Sequence, residues 1–527
     1  MTSHLSSVEP DALPKGLIPI PAEALATAEA LYNRGLYLQA AETLKEWGNP
    51  KGWSEVSARI FGARLAGNLG ASRLASVLFA SCVRKNPKNA EARYYRALDL
   101  LSSRGPWATW EFLRDFETLP GAKGHTLASA LALRGRISAV FKDRRGALTL
   151  LEKAHAMEPD SPWIWTEQSM ALEFLDEREA ALDAAQKALE LQPHYRSGVQ
   201  QAATLLLNAN RDEEAEALLR SASEQIESGA VFLQWITALS ERERFEVIPE
   251  LCDRAERLLP WAEKAIKEWL NARRADAFYG LRDFPRAAEY AEACSDPLHQ
   301  KAAPRLRAPE ADARRMKLPV PFVPQDNDTC APASLASVAG FWNWDVTHDQ
   351  IVEAVCYGGT QMHGLRQWVE ERGWIVREFR VTWQNTQRLI DRGIPFLLAT
   401  MEVGSGHMQV VEGYDTLWET LLIRDPNFRH HRRVPAHEFL ARYEAFGPRG
   451  MLVLPATEAQ RLEGVELDSQ CGFDCFHRFN LALARNDRAA AREELTAMAG
   501  EARFLVHGAR LALADYDANE LERWRCL

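Results

Sequence analysis

A repeat with a period of 34 residues constrains the fold of this chain more than any other feature of its sequence. Ala147 recurs as Ala181 and again as Ala215, and Pro159 recurs as Pro193. Within each unit, apolar residues return at three- and four-residue spacing, which is typical of amphipathic helices. The proline ends the second helix of a unit, because it can neither donate a backbone hydrogen bond nor fit the helix interior. The repeat therefore predicts an array of paired helices.

Degenerate copies extend this pattern to both sides, for example over residues 33–44 and 279–293. Glu227 stands where the period predicts a further proline. The spacing and the small residues resemble tetratricopeptide repeats (TPRs) over residues 21–300. This resemblance implies an α-solenoid with an extended concave surface that binds another protein. A purely structural role, holding a neighbouring domain in place, is the alternative.

Composition excludes several classes of function. The 527 residues carry a formal net charge of −10 and a sequence pI near 5.8, so we expect no nucleic-acid partner. We find no apolar run long enough to span a membrane and no secretory signal at the start. The eight cysteines lack the spacing of a disulfide framework, which predicts a reducing, cytoplasmic environment. The sequence has no phosphate-binding glycine loop, which excludes a P-loop ATPase. The length of the chain predicts three or four structural units.

The remaining segments divide the chain. Residues 1–20 are expected to be an N-terminal arm, and the proline- and arginine-rich residues 301–316 a linker. Residues 317–456 read as a separate domain. Helical periodicity returns over residues 457–527, which predicts further TPR-like helices in an array that ends incomplete at Leu527.

The domain at 317–456 combines helices with strands. Three helical stretches come first, and alternating or apolar β-rich runs follow, which predicts an α+β domain with an antiparallel sheet. The predicted helices cover residues 331–341, 348–356 and 362–372, and the predicted strands cover residues 374–381, 395–403, 407–414, 420–426 and 451–455.

Three residues of this domain suggest nucleophilic catalysis. Cys330 precedes an alanine-rich helix, where the positive end of the helix dipole lowers the pKa of a thiol. His407 opens one predicted strand, and Asp425 ends the next. A hairpin folded about residue 416 places His407 directly opposite Asp425 on one face of the sheet, and a change of one residue in the loop makes the two residues diagonal neighbours that are still within reach. The sequence thus predicts an imidazole beside a carboxylate, as a thiol nucleophile requires. Gln325, five positions before Cys330, has a carboxamide that can donate to an oxyanion together with the Cys330 backbone N–H.

The segments PFVPQDNDTCAPASLASVAGFW, GSGHMQVVEGY and LLIRDP resemble the C39-type papain-like cysteine peptidases, which include the leader peptidases of bacteriocin exporters. The resemblance covers about 140 residues. It implies that Cys330 is the nucleophile, His407 the general base and acid, Asp425 the residue that orients His407, and Gln325 the oxyanion donor. Exporter members commonly have glycine after the cysteine, whereas this chain has Ala331-Pro332, as wider relatives do.

Other candidate sites are weaker. Cys471 and Cys475 lack two further ligands at zinc spacing, so we expect neither a metal nor a cofactor. Cys356 is expected in the core. The basic stretch at residues 429–433 is expected to be a solvated loop, with the rim of an acidic-substrate site as the alternative.

These observations predict a mainly α protein, in which a TPR-like α-solenoid is combined with an α+β papain-like (C39-type) domain that follows it or is inserted in it. The leading functional hypothesis is a cysteine peptidase that hydrolyses a peptide bond in a protein or peptide recruited in part by the repeats. The alternatives are a non-enzymatic scaffold with a papain-like binding module, and an acyltransferase or transglutaminase-type use of the same triad.

Overall fold

The computed structural model describes residues 17–310, 312–402 and 405–498, together with residues 506, 509, 510, 512 and 513. Most of the expected N-terminal arm, and most of the last predicted helical stretch at 509–524, therefore lie outside the described residues. The chain divides into two compact units, residues 1–303 and 304–527, rather than three or four. The difference arises because the residues after the sheet pack onto the sheet domain instead of forming a unit of their own.

The first unit consists of helices that pair with their neighbours in sequence. The last of these helices, Pro297–Arg307, crosses the boundary between the two units. Their bounds are α1 Ala22–Asn33, α2 Tyr37–Thr43, α3 Val56–Asn68, α4 Ser72–Lys85, α5 Ala90–Phe112, α6 Gly124–Val140, α7 Arg144–Met157, α8 Pro162–Phe174, α9 Arg178–Leu191, α10 Arg196–Asn208, α11 Asp212–Gln225, α12 Gly229–Glu241, α13 Ile248–Leu258, α14 Lys264–Gly280, α15 Phe284–Glu292 and α16 Pro297–Arg307.

The repeat is visible in the turns between paired helices. Lys142, Asp176 and Asn210 follow one another at the repeat spacing, and each has left-handed backbone angles, with φ of 60°, 66° and 58°. This conformation ends one helix and redirects the chain into the next. Lys142 Nζ also donates to the Asp176 carboxylate at 2.8 Å, so equivalent positions of successive repeats are in contact. The paired-helix prediction is confirmed, and the array is TPR-like.

The array closes on itself. The Gly35 carbonyl accepts a hydrogen bond from the Glu227 N–H at 2.9 Å, and the Gly70 carbonyl accepts one from the Glu263 N–H at 3.1 Å. Both glycines have positive φ, 79° and 95°, and a Cβ on either would collide with the opposing chain, the nearest atom at Gly70 being Ala262 Cα at 2.8 Å. Glycine is therefore required at both turns for the two ends of the array to meet.

Two glutamates stabilise this closure, because each caps the N-terminus of a helix that is distant in sequence. The Glu227 carboxylate accepts from the backbone N–H groups of Leu38 and Gln39, at 2.8 and 3.1 Å, in the first turn of α2. Glu263 accepts from the Arg73 N–H in the first turn of α4 in the same way. These groups have no partner within their own helices. The departure of Glu227 from the repeat pattern is thus explained by a contact between distant repeats.

The second unit is built around a seven-stranded antiparallel sheet. The bounds are β1 Arg315–Lys317, α17 Cys330–Phe341, α18 His348–Val355, α19 Met362–Glu370, β2 Trp374–Arg380, α20 Trp383–Asp391, β3 Phe396–Glu402, β4 Ser405–Asp415, β5 Thr420–Arg424, β6 Arg432–Pro435, α21 Ala436–Arg442, β7 Arg449–Pro455, α22 Gln470–Ala484 and α23 Arg488–Ala497. The strand order is β2-β7-β3-β4-β5-β6, and β1 pairs with β4. Helices α17, α18 and α19 precede the long strands, and a hairpin of two helices follows them.

Helix α17 is the most deeply enclosed helix near the sheet, and its small residues allow this. Leu335 and Val338 pack with Met408 and Val410 of β4 in one hydrophobic cluster. Ser334 Oγ donates to the Met408 carbonyl at 3.0 Å. The start of α17 is thereby fixed against the strand that carries His407.

Two segment assignments need correction. The segment 301–316 is not simply a linker, because it contains the end of α16 and most of β1, whose residues pair with the end of β4. Helices α22 and α23 form the expected hairpin, but α22 packs on β2 and α19 within the second unit, and Arg366 pairs with Asp474 at 2.8 Å. Within the described residues, no helix is both long and apolar enough to cross a membrane.

Candidate active site

Cys330 is the first residue of α17 and is half-buried. Pro332 occupies the first turn of the helix, where its missing N–H costs nothing. Burial alone disfavours the thiolate, but a hydrogen bond to His407 and the backbone N–H of Met408 outweigh burial, so the pKa of the Cys330 thiol is lowered. The side chain is therefore prepared to ionise at the positive end of a helix.

His407 lies in β4 between the thiol and a carboxylate. Its Nε2 is 2.9 Å from Oδ1 of Asp425. Burial disfavours the imidazolium, but the hydrogen bond to Asp425 and the interaction with Cys330 raise the pKa of His407 to about 9. The opposite shifts of thiol and imidazole favour a thiolate–imidazolium pair at neutral pH.

Asp425 follows the last residue of β5 and is 1% exposed. Besides His407, its Oδ1 accepts from the Asn427 N–H at 3.0 Å, and its Oδ2 accepts from Arg432 Nη1 at 2.9 Å. Burial disfavours the carboxylate, but these donors, His407 first, hold the pKa of Asp425 below its usual range. Asp425 therefore stays ionised and fixed beside the imidazole.

A β-bulge at Glu412 sets the relation of His407 to Asp425. The register of β4 and β5 shifts at this residue, so that Asp425, one residue beyond the last pair, lies opposite Gln409. Without the extra residue Asp425 would lie opposite Val410, whose side chain points to the other face of the sheet from His407. Of the two arrangements that the sequence left open, the structure has the diagonal one rather than direct opposition. The two residues nevertheless share one face.

The loop that carries Gln325 is tied to the same strand end. The Gln325 N–H donates to the Pro426 carbonyl at 3.1 Å. Thr329 Oγ1 accepts from the Asp326 N–H at 2.8 Å and lies 3.1 Å from His348 Nε2. These contacts fix the loop before Cys330 on one side to the Asp425 segment and on the other to α18.

Two local expectations are corrected by the structure. The stretch 429–433 is not a free solvated loop, because Arg432 holds Asp425 and the guanidinium of Arg433 lies 4.1 Å from the ring centroid of Trp418. Cys356 is half-buried rather than in the core, and its thiol lies 3.6 Å from the Asp328 carbonyl. The sequence shows several basic residues over 429–433 but contains no local signal that selects one of them.

Potential metal ligands meet at two places in the described part of the chain. One group comprises Cys294, Asp296 and His299, and the other comprises Asp326, His348 and Asp349. In the second group Nε2 of His348 already faces Thr329, and Asp349 is exposed. Carboxylates of this kind gather without an ion, so the expected absence of a metal stays a prediction.

Comparison with known proteins finds a family match for the segment that contains Cys330, His407 and Asp425. Residues 317–451 match the model of the Peptidase_C39 like family. The second unit contains a C39-like domain. The peptidase domain of Streptococcus ComA, a bifunctional ABC transporter of a quorum-sensing pathway, is 23% identical over 26% of this chain and 98% of its own, with a TM-score of 0.23.

Solved structures similar to the helical array include a TPR protein and a chain of the APC/C heterotetramer. A thermophilic TPR protein of Thermus thermophilus, TTC0263, is 22% identical over 35% of this chain and 99% of its own, with a TM-score of 0.30. The APC/C heterotetramer Cut9-Hcn1 gives 10% identity over 54% of this chain, with a TM-score of 0.36, and this chain spans 55% of its length. No curated protein matches the sequence.

Proposed function

We propose that this protein is a cysteine peptidase that hydrolyses a peptide bond in a protein or peptide substrate. The observation that carries the proposal is the ordered contact of three residues: the Cys330 thiol interacts with His407, whose Nε2 lies 2.9 Å from Asp425 Oδ1. A nucleophile, a base and an orienting carboxylate in this order are what thiol acylation requires. The match of residues 317–451 to the C39-like family supports the same chemistry.

In the first step the Cys330 thiolate attacks the carbonyl carbon of the scissile bond. The imidazolium of His407 then donates its proton to the leaving amine, and a thioester remains on Cys330. In the second step His407, now neutral, accepts a proton from water, which attacks the thioester and releases the acid. Asp425 keeps the imidazole oriented and stabilises its positive charge in both steps.

We assign the oxyanion site to the Cys330 backbone N–H and the Gln325 carboxamide. The first N–H groups of a helix have no acceptor within it, so the Cys330 N–H at the start of α17 is available for an oxyanion. The Gln325 loop is fixed to Pro426, next to Asp425, which supports a position at the same cleft.

The repeat array is proposed to hold a remote part of the substrate. Tethering by a second binding site raises the effective concentration of the scissile bond at Cys330 without any new contact in the cleft. The protein is proposed to work in a reducing compartment such as the cytoplasm, since the cysteines of the described residues are all free thiols.

Labelling with iodoacetamide at neutral pH tests the nucleophile, because Cys471 is exposed and serves as an internal reference. We expect Cys330 to be alkylated first, and the Cys330→Ala variant to lose this fast phase. Equal rates at Cys330 and Cys471 would contradict an activated thiol and favour the non-enzymatic scaffold.

A reaction in ¹⁸O-labelled water tests whether water or another nucleophile accepts the acyl group from Cys330. Hydrolysis places one heavy oxygen on the new C-terminus of the product, whereas transfer of the acyl group to an amine or thiol yields a conjugate without it. We expect the heavy oxygen. A conjugate would replace the peptidase by the acyltransferase alternative.

A further inference from the structure

The inner face of the closed array forms a lumen within the first unit that is open to solvent. Two cavities, of about 930 and 810 Å³, share the wall residues Trp163, Arg196, Leu233 and Ile266. Because they share these residues, the two cavities adjoin, and we call them together the lumen. The 930 Å³ cavity is lined by residues between 163 and 269, whereas the 810 Å³ cavity combines residues of α1–α5 with residues of α10–α14, so the second cavity forms only when the repeats meet.

Two half-buried arginines, Arg64 and Arg196, bring positive charge to this lumen, and the exposed Arg34 also lies in its wall. The guanidinium of Arg64, in α3, lies 4.5 Å from the ring centroid of Tyr32 and 4.9 Å from the ring centroid of Tyr95. Arg196 of α10 donates to the Gln200 side chain at 2.8 Å. Both arginines line the lumen and are half-buried.

Neither arginine pairs with a carboxylate within the part of the chain that the structure describes. Glu91 acts on Arg64 only from beyond ion-pair distance. The one aspartate in the lumen wall, Asp99, is already bound by Arg96 and Ser76. Burial of a guanidinium without an anion costs free energy, because the charge loses part of its hydration. A bound carboxylate would offset that cost.

The lumen wall also contains two buried polar atoms that lack a hydrogen-bond partner among the described residues. The Trp163 indole N–H is buried and has no hydrogen-bond partner among the described residues, and neither has Oε1 of Gln234. Both residues line the lumen. One is a donor and the other an acceptor, so a side-chain movement that exposed them would let them pair with the C=O and the N–H of a peptide unit.

We propose that the lumen binds an extended acidic peptide segment, with carboxylates on Arg64 and Arg196 and a peptide unit on Trp163 and Gln234. The overall charge of −10 disfavours a nucleic acid as the occupant. This inference rests on the proposed function only in treating the bound segment as part of the substrate. Binding to a catalytically inactive chain tests it separately.

Fluorescence anisotropy with the full-length Cys330→Ala protein is the test. The probes are a fluorescein-labelled peptide of alternating glutamate and glycine, the same peptide with lysine in place of glutamate, and a single-stranded oligonucleotide. We expect only the acidic peptide to bind. Arg64→Gln and Arg196→Gln should each weaken binding about tenfold, as the loss of a charge-assisted hydrogen bond implies. The matched control is Arg211→Gln, which removes an exposed arginine that pairs with Glu214 and should leave binding unchanged.

Circular dichroism verifies that each variant folds. If Arg64→Gln does not fold, Arg196→Gln and a salt titration of the Cys330→Ala protein decide, because binding by charge must weaken as salt rises. The proposal is overturned by any one of three results. These are no saturable binding of the acidic peptide, equal binding by both variants and the control, and binding that is insensitive to salt. Preferential binding of the oligonucleotide overturns it in favour of a nucleic-acid site.

Discussion

Asp425 shows how much of the site depends on one buried carboxylate. It is 1% exposed and receives hydrogen bonds from an imidazole, a guanidinium and a backbone N–H. Such a carboxylate tolerates burial only while its donors are present. Arg432 is therefore a positioning residue, acting on His407 through Asp425.

Replacing Arg432 with glutamine tests that role. Asp425 Oδ2 then loses its charged donor, so the pKa of Asp425 rises and His407 is oriented less well. We expect kcat to fall about tenfold and the alkylation midpoint of Cys330 to move to higher pH. Arg432→Lys should restore part of the effect, and Arg433→Gln is the matched control from the same strand. An unchanged kcat and midpoint for Arg432→Gln would contradict this role.

The pKa shifts of the thiol and the imidazole predict the pH dependence. The pKa of Cys330 is lowered, so alkylation should remain fast well below the value of about 8.5 of a free thiol. The pKa of His407 is raised to about 9, so turnover should fall above that pH as the proton for the leaving amine is lost. His407→Gln should return the alkylation midpoint towards that of a free thiol. A wild-type midpoint near the free-thiol value contradicts the ion pair.

The sequence predicted the residues of the site better than their exact geometry. Cys330, His407 and Asp425 were identifiable because each occupies a local context, a helix start or a strand end, that can be recognised in sequence. Arg432 was not, because its contact with Asp425 depends on where β6 lies. The diagonal placement of His407 and Asp425 depends on a bulge at Glu412, a polar residue within a strand, which no alternation pattern reveals.

At the level of elements, helices α17, α18 and α19 and five of the strands follow the predicted ranges closely. The elements missed are the helices α20 and α21 and the strands β1 and β6. β1 has three residues in a proline- and arginine-rich segment, and β6 has four residues that include two arginines. Their pairing is decided by neighbouring strands rather than by their own sequence, which local propensity cannot show.

Glu227 provides a test of closure of the array. Its carboxylate accepts from two backbone N–H groups at the start of α2, and removal of such a cap typically costs about 1 kcal/mol. We expect Glu227→Ala to lower the free energy of unfolding of the array by about that amount in urea. Glu224→Ala, an exposed glutamate on α11, is the control. Equal stability of the two variants would contradict cross-array capping.

At the scale of the whole molecule, the structure adds a closure that the expected extended concave surface did not include. The repeats close into a ring whose interior is lined by tyrosines and arginines, because two glycine turns and two glutamates join distant repeats. These contacts link residues far apart in the chain, as between Gln39 and Glu227, whose separation is 188. Repeat periodicity is local and contains no information on such contacts.

Separation of the two units tests recruitment. A chain of residues 304–527 retains β1 and α22, both of which pack on the sheet. We expect it to be alkylated at Cys330 as fast as the full chain, but to cleave a protein substrate of the full chain far more slowly, since remote binding energy is lost. Equal cleavage rates would refute recruitment by the array, and slow alkylation would show that the shorter chain is not correctly folded.

The central claim is that Cys330 hydrolyses peptide bonds, and mass spectrometry of cleaved termini tests it most directly. Full-length wild type and Cys330→Ala are incubated under reducing conditions with a proteome-derived library of proteins, and new N-termini are identified in each digest. The account predicts a set of new termini produced by the wild type and absent with Cys330→Ala. Identical sets of termini, or none from a wild type whose Cys330 is rapidly alkylated, would contradict it.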